Sequence, residues 1–261
     1  MKLKKWEELP QDMQTEAVRV YYDILQKKRA VLILKRAFDI LASLLLLIVL
    51  SPVFLVTAIA IKLESEGPVM YRQVRKTAYE RDFRIHKFRS MYVNSDRGSL
   101  LTMKNDSRIT RVGAFIRKHK IDEFGQLIDV LKGDMTFVGV RPQVPKYVES
   151  YTDEMKATFL LPAGITSLAS VYYRNENDLL HGKTDPSRKY LTEILPDKMQ
   201  YNLRGIKDLS PLYDLRIMFM TVLAVLGKDY APEKLLDSAV FLQQENGSGS
   251  MIPMAGGQSH E

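Results

Sequence analysis

Asp122 and Glu123 stand side by side, with two cationic stretches in reach along the chain: His86-Lys87-Phe88-Arg89-Ser90-Met91 before them and Gly139-Val140-Arg141-Pro142 after. An ionised carboxylate can attack phosphorus or hold a divalent metal ion. Guanidinium and ammonium groups bind phosphate oxygens and offset the charge that grows in a phosphoryl-transfer transition state. Together these residue types suit phosphoryl transfer supported by Mg2+. Taken singly they have plainer uses. Adjacent acids at a helix start complement its dipole, Lys87 and Arg89 on a membrane surface attract anionic lipid, and Arg141-Pro142 makes a turn.

Other chemistries find little support. The chain has no cysteine, which excludes disulfides and thiolate metal sites, and its four histidines include no pair at zinc-ligand spacing. His86 and His119 read as surface or substrate-proximal. There is no P-loop, no Gly-rich dinucleotide fingerprint and no serine nucleophile elbow. With 38 Lys plus Arg against 31 Asp plus Glu, the net charge of +7 calls for an anionic partner: phospholipid, nucleotide phosphate or nucleic acid. Without a recognisable aromatic-basic module, nucleic acid is the least expected of the three.

The elements that must position these groups follow from periodicity. Ile116, Ile121, Phe124, Leu127, Ile128 and Leu131 recur every three to four residues and Gly133 is placed to end the last helix, so Asp122 and Glu123 are expected in its first turn. The alternating runs VMYRQV and DFRIHKF predict a small β-hairpin around Lys76 to Asp82. Upstream, Ile40 to Ile61 carries no charge and as a helix would be about 33 Å long, enough to cross a bilayer core. Pro52 interrupts it by removing a backbone hydrogen bond, and the Ser51 hydroxyl can satisfy the freed carbonyl. Cations flank both sides, Lys35-Arg36 before and Lys62, Arg72, Arg75 and Lys76 after, so the inside-outside asymmetry of a spanning helix is missing. A kinked spanning helix and a helix-break-helix returning to the same face both fit. Residues 1 to 36 predict an amphipathic helix running into Lys35-Arg36, and Leu212 to Leu226 a helix too short to span that lies in the interface. The Gly/Ser-rich tail from about Glu245 is expected to be disordered.

The order of these features resembles the bacterial sugar transferases, the monotopic polyprenyl-phosphate phosphoglycosyl transferases. The series runs from Lys35-Arg36-Ala37-Phe38-Asp39 through Ser51-Pro52, Gly67-Pro68, Lys87 to Met91, Asp106 to Gly113, Asp122-Glu123 and Leu131-Lys132-Gly133-Asp134-Met135 to Arg141-Pro142, and more weakly to Asp214 and Thr221. It covers roughly residues 35 to 225. The chain departs from the family pattern in the hairpin, where Thr77 and Glu80 replace glycines, and at Gly125 and Val140, which replace prolines. It departs again in Gly164-Ile165-Thr166-Ser167-Leu168-Ala169-Ser170, leaving hairpin shape and donor specificity open.

The resemblance implies an α+β, helix-rich protein with a re-entrant membrane helix broken at Ser51 and Pro52, amphipathic interfacial helices and a small β-hairpin. Its parts would be a charged extension over 1–34, the anchor over 35–62, a cytoplasmic-face catalytic domain over 63–244 and a disordered tail over 245–261. It further implies transfer of a sugar 1-phosphate from a UDP-sugar to undecaprenyl phosphate at the bacterial inner membrane, initiating glycoconjugate assembly. In that reading Asp122 is the nucleophile of a covalent phosphosugar intermediate and lies by Mg2+. Glu123 positions the metal or acts as base, Arg141 binds phosphate, and Lys87 and Arg89 support the same anionic region. The partners would be the UDP-sugar, the lipid phosphate and membrane phospholipid, with no nucleic acid; a homo-oligomer is compatible with the sequence. The alternative is an inactive membrane-anchored adaptor binding anionic lipid or partner enzymes. The sugar is not legible.

Overall fold

The computed structural model describes residues 1–93, 106–180 and 185–227; the tail expected over 245–261 lies outside them. The first long element, α1 (Glu16–Lys27), starts where the Thr15 hydroxyl accepts from the Val18 amide. It does not run into Lys35-Arg36. Lys28 leaves helical geometry and α2 (Arg29–Val49) begins one residue later, so the membrane-type helix starts before residue 35. The buried face of α1, Val18, Tyr21, Tyr22 and Leu25, enters the same core as Val144, Tyr147, Leu160, Leu195 and Met199. Residues 1–28 are therefore part of the main core, with residues three to four apart on one helix face supplying the contact.

After α2, α3 (Ser51–Glu64) departs at 60°. The bend has a covalent cause. Pro52 has no N–H to give to the Ile48 carbonyl, and the Ser51 hydroxyl donates to that carbonyl instead, at 2.7 Å. Among the described residues no single helix is long and apolar enough to cross a membrane, whereas this bent pair passes by length and composition. The pair is also inside out relative to a soluble helix. Lys35, Asp39 and Ser43, four residues apart, face the protein, while Ile33, Leu41, Leu45, Ile48, Leu55, Val56, Ile59 and Leu63 are exposed.

The expected hairpin forms as β1 (Met70–Lys76) and β2 (Asp82–Phe88), antiparallel with Tyr71 opposite Lys87 and Arg75 opposite Phe83. At its tip Tyr79 and Glu80 both hold positive φ. Next come α4 (Arg111–Lys118), α5 (Gln126–Lys132) and β3 (Met135–Val138), then the short helices α6 (Pro145–Val148) and α7 (Asp153–Lys156). Strand β4 (Ala163–Thr166) pairs parallel to β3. The two chains approach closely beyond β3: a Cβ on Gly164 would lie 2.1 Å from the Gly139 carbonyl oxygen. The remainder is helical: α8 (Leu168–Tyr172), α9 (Glu176–Leu180), α10 (Pro186–Lys189), α11 (Leu195–Lys207) and α12 (Pro211–Val225). Among the described residues the result is helix-rich α+β with two small sheets.

Polar contacts tie the bent pair to this body. Lys35 makes a 2.6 Å ion pair with Asp214 on α12. Arg36 donates to the Val130 and Leu131 carbonyls, capping α5, at 2.6 and 2.8 Å. Asp39 accepts from the Thr136 hydroxyl at 2.8 Å and the Phe137 amide at 3.2 Å. Thr166 and Thr221 join β4 to α12 through their hydroxyls, 2.7 Å apart. The opposite side of α12 exposes Leu212, Leu215, Phe219, Val222 and Val225.

Candidate functional site

Asp122 and Glu123 do not sit in the first turn of α5. Lys120 takes left-handed geometry, with φ 58, and turns the chain into a separate 3-10 turn, Ile121–Glu123, before α5 begins. The turn packs directly under β2. Gly125 is needed for that approach, because a Cβ there would come within 2.8 Å of the His86 carbonyl oxygen.

Strand β2 presents Lys87 to both acids. Its Nζ is 2.9 Å from Asp122 Oδ2 and 3.6 Å from Glu123 Oε1. Arg141, on the loop after β3, donates from both terminal nitrogens to Glu123, at 3.0 and 2.9 Å, and also to the Ile165 carbonyl at 2.8 Å. Burial alone would push the Glu123 carboxyl up, but Arg141 and Lys87 prevail and hold it well below the usual carboxylate range. Glu123 in turn pushes the Arg141 guanidinium up. Glu123 is thus fully engaged. Asp122 is not: it is buried, and its Oδ1 has no hydrogen-bond partner among the described residues. One Asp122 oxygen is thus left unpaired while the other faces Lys87.

Four of the residues singled out in the sequence, Lys87, Asp122, Glu123 and Arg141, therefore meet. Arg89 goes elsewhere. It is buried and donates to the carbonyls of Ser65 and Glu66 and to the Ser65 hydroxyl, closing the C-terminal end of α3. Ser51 and Pro52 stand at the bend, as described above. His86 is neither on the surface nor in contact with the acids: Asp129 accepts its backbone N–H at 2.8 Å and faces its Nδ1 at 2.5 Å. His119 is exposed, its Nδ1 2.9 Å from the Phe115 carbonyl oxygen.

Sequence reasoning missed Arg75, which had been grouped with the cations flanking the membrane segment. In the hairpin it shares a face with Tyr71, Gln73 and Lys87, and it donates to the Pro142 carbonyl at 3.2 Å, next to Arg141. The signal was available: once the tip is placed between Lys76 and Asp82, antiparallel pairing with period two puts Arg75 on the Lys87 face.

For a divalent cation the donor set offers the free Asp122 oxygen, while both Glu123 oxygens are held by Arg141. No cluster of three or more metal-type side chains occurs among the described residues. That fits an ion taking one or two carboxylates and completing its shell with phosphate oxygens and water, as Mg2+ does, rather than an all-protein cage.

Residues 30–228 match the family model described as bacterial sugar transferase. The chain is 38% identical over 197 residues to "UDP-N-acetylgalactosamine-undecaprenyl-phosphate N-acetylgalactosaminephosphotransferase" of Aeromonas hydrophila, covering 74% of this chain and 44% of that protein. It is 37% identical over 196 residues to "UDP-glucose:undecaprenyl-phosphate glucose-1-phosphate transferase" of Klebsiella pneumoniae, covering 73% of this chain and 40% of that protein. It thus spans less than half the length of both. A shorter relative, "Exopolysaccharide production protein PSS" of Rhizobium leguminosarum bv. phaseoli, is 37% identical over 205 residues, 76% of this chain and 97% of that protein. The family match runs through α2 and α3, the hairpin, the acidic turn and the Arg141 loop together, and the chain belongs to the bacterial sugar transferase family.

Proposed function

We propose that this protein is a phosphoglycosyl transferase that moves a sugar 1-phosphate from a UDP-sugar to undecaprenyl phosphate at the cytoplasmic face of the inner membrane. The observation that carries the reading is the state of Asp122: buried, paired on one oxygen with Lys87, and free on the other. The free oxygen attacks the sugar-bearing phosphorus of the donor. A new P–O bond to Asp122 forms, the bond to the bridging oxygen breaks, and UMP leaves with that electron pair. An oxygen of the lipid phosphate then attacks the same phosphorus, releasing Asp122 and yielding the lipid diphosphate sugar. Lys87 lowers the repulsion between carboxylate and diphosphate, and Arg141, held in place by Glu123, presents the remaining donor face of its guanidinium. Bound Mg2+ would be held by the Asp122 carboxylate, Glu123 being occupied by Arg141, and would neutralise charge on the diphosphate.

The membrane assignment rests on the inverted polarity of α2 and α3 and on their 60° bend. A re-entrant pair leaves its apolar side in lipid and returns both ends to one face, where a soluble donor and a lipid acceptor can meet. An inactive adaptor is not favoured, because it has no use for a free carboxylate oxygen buried beside a lysine.

The deciding experiment is UMP release from a panel of UDP-sugars by the detergent-solubilised protein with Mg2+ and undecaprenyl phosphate. Asp122→Asn is expected to lower turnover by roughly 10^4-fold or more; near-normal turnover in that variant would refute the nucleophile. Single cysteines placed at Lys5 and Ser150 should label from the same side of sealed vesicles, and opposite-side labelling would end the re-entrant reading.

A further inference from the structure

Among the described residues the Arg75 guanidinium hydrogen-bonds only to neutral oxygens, the Pro142 carbonyl at 3.2 Å and Gln73 Oε1 at 2.6 Å, and its buried Nε has no hydrogen-bond partner. No carboxylate pairs with it among the described residues, although its hydrogen bond to Pro142 brings it beside Arg141. Burial and the Arg141 charge both disfavour its protonated form. Two neighbouring guanidiniums, of which only Arg141 pairs with a carboxylate among the described residues, are costly unless an anion joins them. Such an arrangement is expected where the protein keeps a place for one.

The position along the hairpin says which anion. Strand β1 begins against α3, where Met70 and Phe88 pack with Phe54 and Ile61. Lys87, opposite Tyr71, lies at that end of the hairpin, next to α3. Arg75 is four residues further on, about 13 Å by strand rise. Its neighbour Lys76 donates its backbone N–H to the Gln143 carbonyl at 3.0 Å, which fixes this end of the strand to the Arg141 loop. The acid pair and Lys87 thus lie nearer α3, and Arg75 lies farther from it along the hairpin.

Building on the proposed phosphosugar transfer, we infer that Arg75 binds the nucleotide-side phosphate of the diphosphate donor, the one that departs in UMP, while Lys87 and Asp122 face the sugar-side phosphate. When the bridging P–O bond breaks, the charge that develops on the UMP oxygen falls in reach of Arg75, a fixed donor that needs no reorganisation. The lipid phosphate, entering from the α3 side, does not depend on it.

The test uses UMP as probe with the detergent-solubilised full chain. Titration calorimetry should show Arg75→Gln binding UMP about tenfold or more weakly than wild type, with Arg75→Lys between them. The KM for the UDP-sugar should rise while the KM for undecaprenyl phosphate stays within about twofold, and the thermal midpoint should hold or rise, since an unpaired buried charge is removed. Equal UMP affinity in wild type and Arg75→Gln would overturn the assignment and leave phosphosugar transfer standing. So would a lowered thermal midpoint with unchanged UMP affinity, the mark of a structural residue, or a rise confined to the lipid KM. Wild-type protein that neither binds nor releases UMP would overturn the transfer reading and this one with it.

Discussion

Arg141 grips both carboxylate oxygens of Glu123, at 3.0 and 2.9 Å, so the residue next to Asp122 is a fixed anchor for the loop after β3 rather than a free acid. A planar fork on a carboxylate fixes direction as well as distance, which lysine cannot reproduce. Arg141→Lys is expected to lower UMP release by about 10^2-fold or more, comparable to loss of a charge-stabilising donor. Steady-state kinetics on folded protein checks this.

The same pair makes a pH prediction. The Glu123 carboxyl is held well below its ordinary value, so it stays ionised through the neutral range and its stabilising contribution is lost only as pH falls through that depressed value. Removing the cation that favours the charged form must raise it. Stability against pH should therefore be insensitive to Glu123 between about pH 6 and 8 in the wild type, since an unperturbed Glu titrates near 4.3. In Arg141→Gln the loss on acidification, which begins in both proteins as the unfolded Glu titrates, should be smaller and should end at a higher pH. Denaturant melts of both proteins across an acid series measure the displacement; a displacement to lower pH would contradict it.

Lys87 touches both acids but at unequal distance, 2.9 Å to Asp122 and 3.6 Å to Glu123. Lys87→Met leaves a buried carboxylate without its cation, and turnover should fall by about 10^2-fold or more. The lost pairing should also cost about 1–3 kcal/mol of stability. A variant with full turnover would remove Lys87 from the site.

Arg89 should behave as a structural residue. Its guanidinium closes the end of α3 on the Ser65 and Glu66 carbonyls, and Gly67 is required beside it, since a Cβ at that position would meet Arg89 Nη1 at 2.2 Å. Arg89→Met should cost about 1–3 kcal/mol through the lost hydrogen bonds to these part-buried carbonyls. The molecules that remain folded should keep their KM for the donor. A raised donor KM with an unchanged thermal midpoint would return Arg89 to the phosphate site.

Arg36 ties α2 to α5, the helix that follows the acidic turn, by capping Val130 and Leu131. Arg36→Met should cost about 0.5–2 kcal/mol, the range for a lost cap, and hydrogen exchange should quicken at the C-terminal turn of α5. Unchanged exchange there would show that α5 holds its end without α2.

Much of this protein is fixed by its sequence before any packing is considered. Pro52 cannot donate to Ile48, so the apolar helix must break there, and Ser51 stands where it can repair the loss. Alternation over 70–76 and 82–88 sets the hairpin, and Gly133, at φ 90, ends α5 as its position promised. What the tertiary structure alone decided is which cations reach the acids. Local alternation would put Arg89 on the Lys87 face, two residues on, but β2 ends at Phe88 and Arg89 turns away to the unpaired carbonyls of α3. Arg75, distant in sequence from both acids, is brought beside Arg141 by strand register and the Pro142 contact. The left-handed Lys120 likewise lifts Asp122 and Glu123 out of the helix that periodicity assigned them. Periodicity reports which face a residue occupies within an element, whereas the end of an element and the neighbour it meets there are set by long-range contacts that no local pattern encodes.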